Sequence, residues 1–137
     1  MKFLTKHRAT EVSLTLLRFV AAIIMIQNGG LKLFDWFGGL PNGADAHVFS
    51  LLWIAGVLEF FGGFAILAGF KTRLVAFILS GEMAFAYFIG HAAYGHFFVP
   101  LINQGQPAVL LSFIFLYFAA HGAGEWSVDR HLAERHE

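Results

Sequence analysis

The chain contains no cysteine in its 137 residues. That excludes disulfides, thiol redox chemistry, iron–sulfur ligation and thiolate metal sites, so any redox role has to use a borrowed cofactor. Charge is scarce as well: 13% of the residues are Asp, Glu, Lys or Arg, where soluble domains carry roughly 25%. Basic and acidic residues balance at 9 each, and no basic run is long enough to recruit a nucleic acid or another polyanion. The sequence also has no G-x-G-x-x-G, P-loop or nucleophile elbow, which leaves nucleotide binding and serine hydrolysis without support.

What fills the chain instead is apolar. Hydrophobic residues make up 58% of it, and 17 are Phe. Apolar runs at about residues 13–31, 49–70, 74–94 and 107–123 approach the ~20 residues that cross a ~30 Å hydrocarbon core. The expected fold is therefore all-α, an integral membrane four-helix bundle forming a single domain over residues 1–137. The basic start followed by an apolar run could be a signal peptide. However, the run exceeds a normal apolar signal region, contains Arg18 and lacks a small-x-small cleavage site before Gln27, so a retained first helix is expected. Turn formers Gly38, Gly39, Pro41, Asn42 and Gly43 make a first loop, and Pro100, Asn103 and Gly105 a second. Lys71, Thr72 and Arg73 form the short link between them. Pro107 suits a first helical turn.

Lys2, Lys6 and Arg8 precede the first span, Lys71 and Arg73 lie in the middle link, and Arg130 and Arg135 in the tail, whereas the outer loops carry only Lys32. Positive residues stay inside. Both termini are thus expected in the cytoplasm of a bacterium, with the chain a multi-pass protein of the inner membrane. Residues 127–137 read as a short amphipathic tail with Ser127 as N-cap.

Against this apolar background a few polar residues stand out. Glu59 falls near the middle of the second span, where a carboxylate costs roughly 3 kcal/mol and so usually faces protein. Gly56, Gly62 and Gly63 share its helical face. Glycines there let another helix approach closely, whether from this chain, a protein partner or a second copy. Arg18 on the first span is followed on its face by Ala22, Met25, Gly29 and Lys32, and Glu82 on the third by Ala86, Gly90 and Ala93. Glu59 and Glu82 are expected at similar depth, His91 nearer the outer surface, and Tyr117, His121 and Glu125 on one stripe toward the cytoplasm.

Together these residues describe a polar interior able to bind a polar headgroup or pass protons. Two carboxylates in a low dielectric do not both ionise easily, and Lys32 with the histidines has the donors to hold quinone carbonyls. Each residue also has a bland reading. Arg18 with Glu82 or Glu125 is then an ion pair that pins helices, and Glu59 is protonated at a glycine interface. Lys32 snorkels to headgroups, and His91 and His121 pack at the interfaces. No haem is expected, since His91 and His121 lie at opposite depths, and no metal or nucleotide.

The chain resembles the DoxX family of small four-helix bacterial membrane proteins over most of its length, from Leu17 to Asp129. The resemblance rests on Arg18, on Asn28-Gly29 with Leu31-Lys32-Leu33-Phe34, and on Glu59, Gly62, Gly63, Gly69 and Thr72-Arg73. Met83, Ala86 and His91 look like the family's third helix. Asn103 and Gly105 look like its second outer loop, and Gly122, Gly124, Ser127 and Asp129 like its ending. In two places the sequence departs from the pattern: Asn28 stands where the family commonly has His, and Gln106 where it often has Glu. Neither can exchange a proton, which weakens an outer proton relay. Glu82 stands where an apolar residue would be expected.

The resemblance implies a membrane subunit of a quinone-linked redox system, similar to that of thiosulfate:quinone oxidoreductase. Glu59 and Arg18 would form its inner polar site, with Lys32 and His91 nearer the outside. Glu82 is a further candidate, and Asn28, Tyr117 and His121 are secondary ones. Two alternatives stay open. One is a non-catalytic accessory subunit packed against a larger membrane complex. The other is a small proton-coupled transporter, for which the sequence shows no pair of broken helices.

Overall fold

A computed structural model describes residues 5–136, which are helical with no strands. Helix α1 spans Lys6–Phe34, α2 Leu51–Ala68, α3 Thr72–Gly90, α4 Pro100–Asn103, α5 Gln106–His121 and α6 Val128–Glu134. Three stretches, Lys6–Phe34, Leu51–Ala68 and Thr72–Tyr94, are long and apolar enough to cross a membrane. Helix α5, with 16 residues, reaches about 24 Å at 1.5 Å per residue. Leu16, Phe19, Val20 and Ile23 on α1, Phe61 and Phe64 on α2, and Phe77 and Phe85 on α3 are all exposed. Apolar surface on this scale is suited to lipid and not to water.

Local chemistry sets the helix ends. Helix α1 begins at Lys6, earlier than residue 13, because Thr5 accepts a hydrogen bond from the Arg8 amide at its start. It runs through Lys32 to a left-handed Asp35. Ser50 caps α2 through the Trp53 amide, and Gly69, with φ +71°, ends it. Helix α3 stops at Gly90, short of residue 94, and a one-turn 3-10 segment follows at Ala92–Tyr94. Pro107 lies in the first turn of α5, and Gly122 ends that helix. Ser127 accepts from the Arg130 amide and caps α6. Of the basic residues before the first span, Lys2 lies outside the described residues.

The chain forms two compact units: residues up to Thr72 together with Ala123 onward, and Arg73–Gly122. In the first, α1 and α2 pack antiparallel with close backbone approach. A Cβ on Gly29 would lie 2.4 Å from the Phe60 amide nitrogen, and one on Gly63 would lie 2.7 Å from the Ile26 side chain. A Cβ on Gly56 would meet Lys32 and Leu33. The glycine face around Glu59 is thus spent, at Gly56 and Gly63, on α1 of the same chain. In the second unit, Ser80 and Ser112 each donate a hydroxyl hydrogen bond to the other's carbonyl, at 2.7 and 2.9 Å, and tie α3 to α5.

Candidate functional site

The α1–α2 register decides which polar residues meet. Gly29 faces Phe60, so Lys32, three residues further along α1, faces Glu59 and Gly56 on α2. The Lys32 ammonium donates to both carboxylate oxygens of Glu59, at 2.9 and 2.6 Å. The two side chains are only 17% and 2% exposed. Lys32 therefore does not snorkel to the surface; it is the partner of the buried carboxylate. Beside the pair lies an aromatic wall. The Phe60 ring packs on Phe34 and Trp36 with centroids 5.2 and 5.7 Å apart, both edge to face. Trp36 reaches that place because Gly30 has no side chain: a Cβ there would fall 2.0 Å from the indole. Asn28, half-buried one turn before Lys32, shares its helical face.

Arg18 lies elsewhere. Fourteen residues separate it from Lys32, about 21 Å along the helix, so Arg18 and Glu59 do not share a site. Nor does Arg18 pair with Glu125: its guanidinium donates to the backbone carbonyls of Ala123 and Trp126. Glu125 instead accepts from His7 at 2.9 Å through its side chain. Its amide donates to buried Glu11 at 2.8 Å.

The remaining residues of this end complete a latch between the chain's two terminal segments. The Asp129 carboxylate accepts from the amides of Lys71 and Thr72, at 2.7 and 2.9 Å, and so supplies the first turn of α3 with the acceptors it needs. The Asp129 amide donates to the Gly69 carbonyl. Gly69 is required by both its positive φ and its space, since a Cβ would lie 2.5 Å from Ser127. Arg18, Gly69, Thr72, Ser127 and Asp129 are thus one structural knot, in which both terminal nitrogens of the Arg18 guanidinium hold backbone carbonyls.

The second unit holds the other candidates. Glu82 is half-buried on α3. His91 closes that helix, and its Nδ1 lies 3.0 Å from the Asn103 carbonyl. A carbonyl only accepts, so Nδ1 carries the proton in this bond. Tyr87, absent from the sequence-derived candidates, is the centre of this loop: its hydroxyl donates to the Phe97 carbonyl and accepts from the Asn103 amide group. Its ring lies 2.6 Å from where a Gly105 Cβ would be. Asn103, Gly105 and His91 therefore order the loop before α5. Tyr117 and His121 stack with centroids 5.3 Å apart on an exposed face of α5, and Glu125 lies beyond the helix end, in the first unit. Arg73, also outside the earlier list, donates to the carbonyls of Ala120 and His121 and caps the end of α5.

Apolar helices of spanning length, lipid-suited surfaces and a buried lysine–carboxylate pair define a helical membrane protein with a charged pair set inside its first unit. The chain belongs to the DoxX family, whose family model matches residues 13–92. An uncharacterized protein of Haemophilus influenzae is 41% identical over 130 residues, covering 94% of this chain and 96% of that one. No solved structure matches the chain significantly.

Proposed function

We propose that the chain is a membrane subunit of a quinone-linked redox system, with the quinone head held at the Lys32–Glu59 pair. It sits in the bacterial inner membrane as a multi-pass protein, both termini in the cytoplasm. The observation that carries this reading is the bidentate contact of the Lys32 ammonium with Glu59 beside the Phe34–Trp36–Phe60 wall. An ammonium has three N–H donors. Two are committed to Glu59, which leaves one for a ligand carbonyl. The aromatic wall offers ring edges and faces to a flat head, and the family's link to quinone-related redox points the same way.

In this role Lys32 binds and orients a carbonyl oxygen. Glu59 holds the lysine in place and is the group that can hold or release a proton within reach of that oxygen. The aromatic side chains flank the head on one side. The quinone, when bound, is the electron acceptor, with electrons delivered by another subunit. Arg18 and His91 have structural roles in this reading, and Glu82 has no part assigned to it.

The test is quinone binding by the purified protein in mild detergent. Loss of a charged hydrogen bond is worth about 1.5–3 kcal/mol, so Lys32→Met should weaken binding by roughly 10- to 100-fold. Unchanged binding in Lys32→Met and in Glu59→Gln would overturn the assignment.

A second reading, an accessory subunit packed on a larger membrane complex, draws on α3. A Cβ on Gly81 or on Gly90 would meet no atom within 4 Å, and Phe77, Phe85 and Phe88 flank them exposed. Stable co-purification of a large membrane protein, lost on Gly81→Leu, would favour it.

A further inference from the structure

We infer that the Lys32–Glu59 pair opens only toward the end of the first unit that carries the 35–50 link, and is sealed from the end that carries both chain termini. The two ends are distinct. His7, Glu11 and Arg18 bind residues 123–126, which fixes the beginning and the tail of the described chain at one end of α1. Lys32 lies at the other, in the last turn of α1.

Between them the α1–α2 seam is dry. On α1 the buried positions after Arg18 are Ala21, Ala22, Met25 and Ile26, and opposite them α2 presents Gly63 and Ile66. None has a polar side-chain atom. Ala22, Met25 and Ile66 are fully buried, and Gly63 is close enough to Ile26 and the Ala22 carbonyl that a Cβ would clash. A water chain needs polar partners and room at each step, and a seam closed to a methyl group gives it neither. From Arg18 to Asn28 that barrier is about 15 Å long, and its penalty for a charge is the one that makes intramembrane ions rare.

The opposite direction is open. The Lys32 side chain keeps 17% exposure, and Asn28, one turn deeper on its face, is half-buried. The link beyond is mostly exposed and rich in left-handed residues, namely Asp35, Phe37, Asn42 and Phe49. Whatever the pair binds or exchanges, protons included, therefore enters and leaves on the side opposite the termini.

The absence of native cysteine makes the test direct. Single-cysteine chains are placed in sealed vesicles of one orientation and treated on either side with a charged, membrane-impermeant methanethiosulfonate, read as a mass shift of the intact chain. Asn42→Cys marks the link side and Arg135→Cys the terminal side. Asn28→Cys, which leaves the ion pair intact, and Lys32→Cys should both react from the Asn42 side and not from the Arg135 side. Ala22→Cys should react from neither. Labelling of Asn28→Cys from the terminal side, failure of Asn28→Cys to label from the link side, or labelling of Ala22→Cys would overturn the inference. The readout needs no quinone. Correct sidedness with no quinone bound would sink the proposed ligand and leave the access route standing.

Discussion

Lys32→Met removes the ammonium that donates two hydrogen bonds to Glu59, at 2.9 and 2.6 Å, from a carboxylate that is only 2% exposed. Breaking a buried pair by deleting one partner costs about 3–5 kcal/mol, most of it the uncompensated charge left behind. Replacing both partners with apolar residues of similar size is neutral or stabilising, by about 1–4 kcal/mol in known cases. The expectation is therefore strongly non-additive. Lys32→Met alone should lose about 3 kcal/mol or more, and Lys32→Met with Glu59→Leu should return to wild-type stability or above it. The assay is reversible unfolding in mixed micelles, titrated with a denaturing detergent and followed by helical circular dichroism. Quinone binding is measured on the same samples. Stability should recover in the double variant and binding should not, which separates the cost of the buried charge from the use of the pair. Additive losses in the two single variants, or a loss below about 1 kcal/mol in Lys32→Met, would refute the idea that the lysine compensates a buried charge.

Three further outcomes follow from the packing and the helix cap. Gly29→Ala places a methyl 2.4 Å from a backbone nitrogen that cannot swing aside, so it should destabilise by about 1–3 kcal/mol in the same titration. Gly81→Ala, which meets open space on α3, should be neutral or gain up to about 1 kcal/mol from helix propensity. Asp129→Ala removes both acceptors from the first turn of α3 and should cost about 0.5–2 kcal/mol; limited proteolysis, read as faster cleavage after residue 122, checks whether the tail is released.

The spans and their carboxylate were legible because each depends on a pattern inside one segment. Apolar length marked α1, α2 and α3, and the glycines around Glu59 marked a close-packed face that the structure fills with α1. The partner of Glu59 was not legible, because it depends on the register between two helices. Only the contact of Gly29 with Phe60 places Lys32 opposite the carboxylate. Ending the first helix at residue 31 places Lys32 in a loop, whereas the helix runs on to a left-handed Asp35 and keeps it in the last turn of α1. Arg18 misled for another reason: its acceptors are main-chain carbonyls at Ala123 and Trp126, and a carbonyl leaves no mark in a sequence. Nothing in the sequence sets Tyr87 apart from the other aromatics of the third span. The signal that could have found it is Gly105, a residue with no side chain beside a conspicuous Asn103, as a ring packed over a loop requires.

The residues that carry the family resemblance separate by what their polar atoms bind. Arg18, Ser127 and Asp129 direct theirs to backbone groups, among them the Thr72 amide, and Gly69 makes room for that knot. Groups committed in this way keep the ends of the chain together and have little left to offer a ligand. Lys32 and Glu59 differ, since each meets a charged side chain, and a charged pair can be opened, reoriented or neutralised by a third molecule without unfolding a helix end. Their neighbour Asn28 narrows the chemistry further. An amide one turn from Lys32 can donate and accept hydrogen bonds but cannot exchange a proton near neutral pH, so a proton transferred at this end of α1 has to be carried by the pair itself. A histidine in place of Asn28 would add a titrating group one turn from Lys32 on the same helical face. If proton delivery limits turnover, Asn28→His should therefore raise the rate of quinone reduction in the assembled system while leaving quinone affinity unchanged, and a change in affinity alone would place residue 28 in the binding surface and outside the proton path.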